Sequence, residues 1–414
     1  MRRFLILLFL FFPLPLSFAQ GLEDWYAAIS QYAGIDPNAG LATFWTLVIP
    51  PGGMYEAMGT AYTAVVKDSG YIEANPAGSA LLKDTELSVY HNDWIGDSRM
   101  EAVVYTIRNG DLGLGFGSKL LYLPFTAINN WGDRYQNSWS TDFAKGYYTE
   151  YVGTLNASYN FFNSYYFSGL TLGGNLKVAY RGVPASIAQG QSAFDMMADF
   201  GALTRFNLLK FYPSLDRNFS LGLALKNLGP PVMGDPLPSE ASFGIAYQPL
   251  RPLTLSFDTN VPFFIGVNLP PQEINFAVGM DLAMTSFWAI QSGLDLVPGR
   301  PRFTIGTSFS IEKLVMNVNY TVDLMTSLAP FDRISIEAKL NLGDLGRQDA
   351  QNRSRDLYLS GLDAYARGNF QEAIVDWEKS LEISPNFTPA QNMIETTRRA
   401  LELQKEMAEK QKAQ

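Results

Sequence analysis

The stretch Ile334-Ser335-Ile336-Glu337-Ala338-Lys339-Leu340-Asn341-Leu342 carries five apolar side chains at every second position, with Ser, Glu, Lys and Asn between them. A β-strand turns successive side chains to opposite faces, so this segment has one face suited to lipid and one suited to water. Working back toward Glu86, the same alternation recurs at Phe303, Ile305 and Phe309, at Phe276, Val278, Met280 and Leu282, at Phe219, Leu221, Leu223 and Leu225, and at Leu112, Leu114 and Phe116. Counting such runs between turn signals predicts about fourteen strands. In a membrane, a sheet with one apolar and one wet side must close on itself to leave no unpaired backbone edge. The expected fold is an all-β transmembrane barrel over residues 85–342, with Ser256, Asp258, Asn275 and Asp281 facing its lumen.

Turn lengths point the same way. Bacterial barrels have short turns on one side and longer loops on the other. Here Arg108-Asn109-Gly110 and residues 248–252 are tight, whereas residues 123–145, 181–194, 227–241 and 259–274 are long. If the first strand rises from the periplasm, every long loop falls outside. An even strand number then puts both flanking parts of the chain on the periplasmic side.

Met1-Arg2-Arg3, the apolar residues 4–12 and Ser17-Phe18-Ala19 have the layout of a secretory signal peptide over residues 1–19, with cleavage expected after Ala19. The apolar run is shorter than the roughly 20 residues a spanning helix needs. The chain has no cysteine, which excludes disulfides and a lipidated N-terminal cysteine. Its net charge of -9 argues against nucleic-acid partners. His91 is the only histidine, so neither a zinc site nor a Ser-His-Asp triad can be assembled convincingly. No enzyme activity, metal or cofactor is expected.

Charge changes sharply near Gly343: the last 72 residues hold 10 Lys or Arg and 12 Asp or Glu. A linker over residues 343–352 and a helical domain over 353–414 are expected. Leu357, Gly361, Gly368, Phe370, Ala373, Trp377, Leu381 and Pro385 fall at the spacing of one tetratricopeptide repeat, a helix-turn-helix unit of about 34 residues. Small residues at 361 and 373 let two helices cross closely, with Trp377 and Phe370 filling the space beside them. Ser360 and Ala364 depart from that pattern. A long polar helix is predicted from Thr388 to Lys412. Such a unit either docks a periplasmic protein or merely caps the barrel mouth.

The run Ala57-Met58-Gly59-Thr60-Ala61-Tyr62-Thr63-Ala64-Val65, leading to Asn75-Pro76-Ala77-Gly78, resembles the N-terminal region of the FadL-type long-chain fatty acid transporters and the related PorV-type outer-membrane proteins. With the strand number, the resemblance covers residues 21–342. It implies a bacterial outer-membrane barrel whose residues 20–84 fold into the lumen as a plug, with Asn75, Pro76, Ala77 and Gly78 as the plug motif. Asn-Pro-x-Gly is also an ordinary turn sequence. The resemblance further implies downhill uptake of long-chain fatty acids or other small hydrophobic molecules, captured by outer loops. Candidates for capture are Trp131, Trp139, Pro231, Val232, Met233, Val261, Phe263, Phe264 and Ile265, residues that could equally pack loop against loop. Arg181 or Arg205 could meet a carboxylate or pair with lumenal acids. A second implied role is a non-transporting, PorV-like scaffold whose C-terminal helices hold periplasmic partners. An apolar tunnel would favour transport, and a lumen blocked by packed side chains would favour the scaffold.

Overall fold

The structure, a computed structural model, describes residues 43–94, 98–124, 147–185, 189–214, 216–267, 272–298, 301–324 and 332–412. Among these residues fourteen strands form one closed antiparallel barrel. They are β1 (Glu86–Asp93), β2 (Arg99–Asn109), β3 (Leu112–Pro124), β4 (Tyr147–Phe161), β5 (Leu170–Gly182), β6 (Ala193–Phe206) and β7 (Phe219–Leu228). The second half comprises β8 (Ser239–Leu250), β9 (Leu253–Phe263), β10 (Asn275–Ala283), β11 (Trp288–Leu296), β12 (Arg302–Ile311), β13 (Leu314–Asp323) and β14 (Arg333–Asn341). Each strand pairs with its sequence neighbours, and β14 returns to β1 in the register Glu86↔Asn341 to Asp93↔Ile334. That last ladder leaves the sheet without an edge.

The alternation read from the sequence is the one the barrel uses. On β14, Arg333, Ser335, Glu337 and Lys339 are buried inward while Ile334, Ile336 and Leu340 are exposed outward. Ser256, Asp258, Asn275 and Asp281 are all buried on the inner face. No helix among the described residues is long and apolar enough to cross a membrane.

Connections at one end, called here the loop end, include the long stretches after β3, β5, β7 and β9. The opposite, turn end holds tight returns such as that between β8 and β9. The asymmetry is not complete: residues 207–218 between β6 and β7 and 162–169 between β4 and β5 are long although they lie at the turn end, and the connections after β1 and β11 are short although they lie at the loop end. β1 begins and β14 ends at the turn end, tied by the Thr85 amide to the Gly343 carbonyl and the Leu342 amide to the Thr85 carbonyl, both at 2.8 Å.

Before β1 the chain forms only short helical pieces: a 3-10 turn (Trp45–Leu47), α1 (Gly53–Ala57), α2 (Tyr71–Ala74) and a second 3-10 turn (Pro76–Leu81). After β14 come α3 (Arg347–Ala366), α4 (Phe370–Ile383) and α5 (Thr388–Lys412). α3 begins inside the stretch read as a linker, because Asp344 accepts hydrogen bonds from the Gly346 and Gln348 amides and opens the helix early. The Gln348 amide holds the Asp344 carboxyl below its ordinary range.

α3 and α4 cross where Gly361 meets Trp377: a Cβ on Gly361 would fall 2.4 Å from the indole nitrogen. That nitrogen donates to the Tyr358 carbonyl at 3.1 Å. Trp377 and Ala373 are fully buried, Leu381 packs at the margin, and Phe370 stacks at an angle on Tyr365. Leu357 is half-buried, Gly368 makes the left-handed turn between the helices, and Pro385 is exposed beyond α4. The helices seat on the turn end through Asn386, which donates to the Asn163 carbonyl at 3.0 Å, and through Phe387 edge-on to Tyr165 at 5.4 Å.

Candidate functional site

The lumen is occupied by residues 43–82. The segment enters at the loop end, where the Thr43 hydroxyl donates to the Pro236 carbonyl and the Thr46 amide and hydroxyl both donate to Glu150. It leaves at the turn end, where Arg108 donates to the Leu82 carbonyl. Strand parity alone had put this segment on the turn-end side of the membrane. Parity fixes only where residue 85 enters the sheet, and the polar inner wall draws the preceding residues inside.

Around the circumference the segment bonds to most of the wall. Asn319 donates to the Gly53 carbonyl, the Tyr62 and Thr63 amides donate to Asp258 at 2.9 and 2.8 Å, and Ser69 meets Ser88. The Tyr71 hydroxyl lies 2.9 Å from Thr106, and the Ser79 hydroxyl 2.6 Å from Ser158. Asn75 is the best-connected residue of its turn. Its amide nitrogen donates to the Thr63 carbonyl at 2.8 Å and to the Ala202 carbonyl of β6 at 3.1 Å, and its oxygen caps the second 3-10 turn through Ala77. The Pro76 carbonyl accepts from Asn156 at 2.9 Å, and a Cβ on Gly78 would fall 2.4 Å from the Tyr71 Cβ.

Strand glycines make this approach possible. A Cβ on Gly293 would lie 1.9 Å from the Gly59 amide nitrogen, one on Gly222 2.1 Å from the Thr63 carbonyl oxygen, and one on Gly113 2.2 Å from the Ser79 carbonyl carbon. Any side chain at these inner positions would collide with main chain, which cannot yield as a flexible side chain can.

Charge completes the seat. Glu56 of α1 is buried against Arg333 and also accepts from Thr321. Lys119 pairs with Glu73 at 3.0 Å, and Lys67 with Asp281 at 2.5 Å. Within the wall, Lys177 pairs with Asp199 at 2.7 Å and Lys226 with Glu240 at 2.7 Å. Buried pairs of this kind contribute little net stability but penalise any arrangement that separates them. They fix one position for the segment.

At the loop end the segment also packs into apolar clusters. Phe44, Val152, Ala179, Met197, Val232 and Leu237 form one buried cluster, with Leu47 against it. Ile49, Met100 and Leu121 form a second, flanked by Trp45 and Trp94 with ring centroids 6.1 Å apart. Beside them lies a cavity of about 150 Å³, walled by Trp45, Leu47 and Val48 on one side and by Lys177, Lys226 and Glu240 on another.

A family model matches residues 25–344, which span the lumenal segment and every strand among the described residues. The chain belongs to the uncharacterised protein family UPF0164. Among its relatives, one UPF0164 protein of Treponema pallidum (strain Nichols) is 28% identical over 395 residues, covering 92% of this chain and 89% of the relative. A second from the same organism is 23% identical, covering 87% and 76%. Solved structures similar to this UPF0164 chain include the Pseudomonas putida toluene transporter TodX (TM-score 0.45, 11% identity, 71% of this chain and 100% of that one). A Pseudomonas aeruginosa FadL homologue has a TM-score of 0.42 at 12% identity, covering 70% and 97%.

The UPF0164 barrel distributes the residues singled out in the sequence unevenly. Val232 is buried against the segment, Met233 is exposed beside it, and Gly266 of the next loop would place a Cβ 2.9 Å from Pro231. Those two loops therefore meet at the mouth, with half-buried Phe264 and exposed Ile265 alongside. Phe263 is a strand residue, not a loop residue, because its ladder with Ser239 continues to the end of β9; Val261 likewise sits on β9, facing outward. Trp131 and Trp139 lie outside the described residues. Arg181 is at the mouth, donating to the Thr43 carbonyl at 3.1 Å and to the Met233 sulfur at 3.4 Å. Arg205 is at the opposite end, level with Ser220, and its Nε has no hydrogen-bond partner among the described residues. The two arginines do not share a site. Sequence reasoning missed the wall glycines as the seat of the segment, although they were visible as glycine at inward positions of otherwise regular strands.

Proposed function

We propose that this UPF0164 protein is a plugged outer-membrane channel that admits small hydrophobic molecules, long-chain fatty acids among them, down their gradient. The carrying observation is the buried apolar cluster at the loop end, Phe44 with Val152, Met197, Val232 and Leu237. An apolar molecule that replaces Phe44 and Val232 there removes its own surface from water at roughly 25 cal/mol per Å². The outward apolar belt supports residence in a bacterial outer membrane over residues 85–342, with the loop end outside and the helices of residues 353–414 in the periplasm. Residues 20–84 are then the plug, with Asn75, Pro76, Ala77 and Gly78 holding it, and passage requires the plug to shift. Met233, Phe264 and Ile265 are proposed contacts for the arriving molecule, with Arg181 the cation nearest to it.

A second reading is favoured by the extent to which residues 43–82 fill the lumen and by the seating of the helices on the turn end. In it the barrel is a scaffold, and the α3–α4 hairpin, read as one tetratricopeptide-type unit, holds a periplasmic protein. The two readings separate in an outer membrane that lacks its own fatty acid transporter. Oleate uptake above the empty-membrane level, kept when residues 347–414 are deleted, is the expected result. A folded barrel that takes up no oleate overturns the transport reading in favour of the scaffold.

A further inference from the structure

The connection between β6 and β7, described at residues 207–214 and 216–218, is the longest at the turn end, and two of its apolar side chains are more exposed than Leu223 of the belt. Phe211 is 79% and Leu209 66% exposed, against 57% for Leu223 on the outward face of β7. A water-facing turn has no reason to display such side chains. The connection is also tied to the outward side of the wall. Phe206, Phe219 and Tyr247 form an outward aromatic row, with centroids 4.9 and 6.0 Å apart, and the Tyr247 hydroxyl donates to the Leu209 carbonyl at 3.0 Å. Tyr212 donates to the Gln248 carbonyl at 3.2 Å, and Arg251 bonds the Pro213 carbonyl. Arg217 reaches the Tyr165 and Tyr166 carbonyls at 3.0 and 3.1 Å, joining the neighbouring connection, whose Phe162 is 78% exposed. That phenylalanine prolongs the row Tyr159–Phe161 running down β4, with centroids 4.8 and 6.3 Å apart.

We infer that this connection is a membrane-surface anchor: Leu208, Leu209 and Phe211 enter the acyl edge of the near phospholipid leaflet, and Lys210, Arg217 and Arg251 lie at the level of its phosphates. Three observations select lipid as the occupant. The apolar residues follow directly on the outward Phe206, the connection is held by an outward-facing tyrosine, and the cations outnumber the acids. Asp216 is the one acid among the described residues of the connection, and Lys83 lies 3.5 Å from it. Aromatic and basic residues at this depth are what an interface between hydrocarbon and headgroups accommodates. The anchor fixes the barrel's depth on the side where the helices α3 to α5 are seated.

This inference rests on the barrel being membrane-embedded, and the test separates the two. The chain lacks cysteine, so Phe211→Cys, Leu223→Cys and Glu372→Cys each give a single attachment point for a fluorescent label in the full-length protein. The variants are folded into vesicles of phosphatidylethanolamine and phosphatidylglycerol and probed with aqueous iodide and with lipids carrying a nitroxide near the headgroup. The expected result is that labels at 211 and 223 are quenched by the lipid and spared by iodide, while the label at 372 behaves oppositely. Lipid quenching at 223 with iodide quenching at 211 overturns the anchor alone. Iodide quenching at all three overturns membrane residence as well. Shielding of 211 from both quenchers overturns lipid as the occupant in favour of a second copy of the chain.

Discussion

Asn75 illustrates how much one side chain can carry when it is 1% exposed and surrounded by main chain. Its three hydrogen bonds join two parts of the lumenal segment to β6, and no other residue type offers two donors and an acceptor in so short a side chain. Asn75→Ala is expected to loosen the segment by about 2–3 kcal/mol, roughly 1 kcal/mol for each bond lost. The measurement is limited proteolysis: cleavage within residues 43–82 accelerates while the barrel itself stays protected. Gly293→Ala tests the seat from the wall side. Its methyl group would overlap the Gly59 backbone, so the segment has to move. Ion conductance through the purified variant in a planar bilayer should rise clearly above that of the unaltered protein, and equal conductance would contradict the seating described here.

At the scale of elements, α1 is held by the Glu56–Arg333 pair, whose side chains are 1% and 4% exposed. Arg333→Met leaves the Glu56 charge without its partner and should cost about 3–5 kcal/mol, whereas the paired change Glu56→Met with Arg333→Met should be close to neutral. Chemical unfolding of the two variants measures the difference. The helical hairpin is a separate element with its own small core. Trp377→Ala removes its largest buried side chain and should cost the hairpin about 3–5 kcal/mol, seen as loss of helical circular dichroism on mild heating while the barrel keeps its folded electrophoretic mobility. Elements of this kind were largely legible in the sequence. Period-two alternation marks strands whichever partner they pair with, so Ile334 to Leu342 could be read without any knowledge of β1. The helix from Thr388 to Lys412 was legible for the same reason, since its pattern is local.

For the whole molecule, what escaped the sequence is what depends on distant residues meeting. Nothing in residues 43–82 announces that Asp258 will cap their amides, or that Gly222 and Gly293 leave room for their backbone. Lumenal glycines could have signalled close approach, but which chain approaches is a property of the closed barrel. The mouth was legible only in part: Val232 and Met233 were singled out for their apolar character, while Phe44, against which Val232 packs, lies in a stretch without periodicity. Arg181 and Arg205 looked interchangeable in sequence, and the strand registers set them at opposite ends.

Gating of a channel by residues 43–82 is tested by locking them to the wall. The Ser79 and Ser158 hydroxyls are 2.6 Å apart, so Ser79→Cys with Ser158→Cys places two thiols within disulfide reach in a chain that has no other cysteine. Oleate uptake is then measured before and after reduction. Little uptake in the oxidised protein and recovery on adding reductant are expected. Equal uptake in both states would show that hydrophobic molecules cross without moving this segment, and would contradict gating by it.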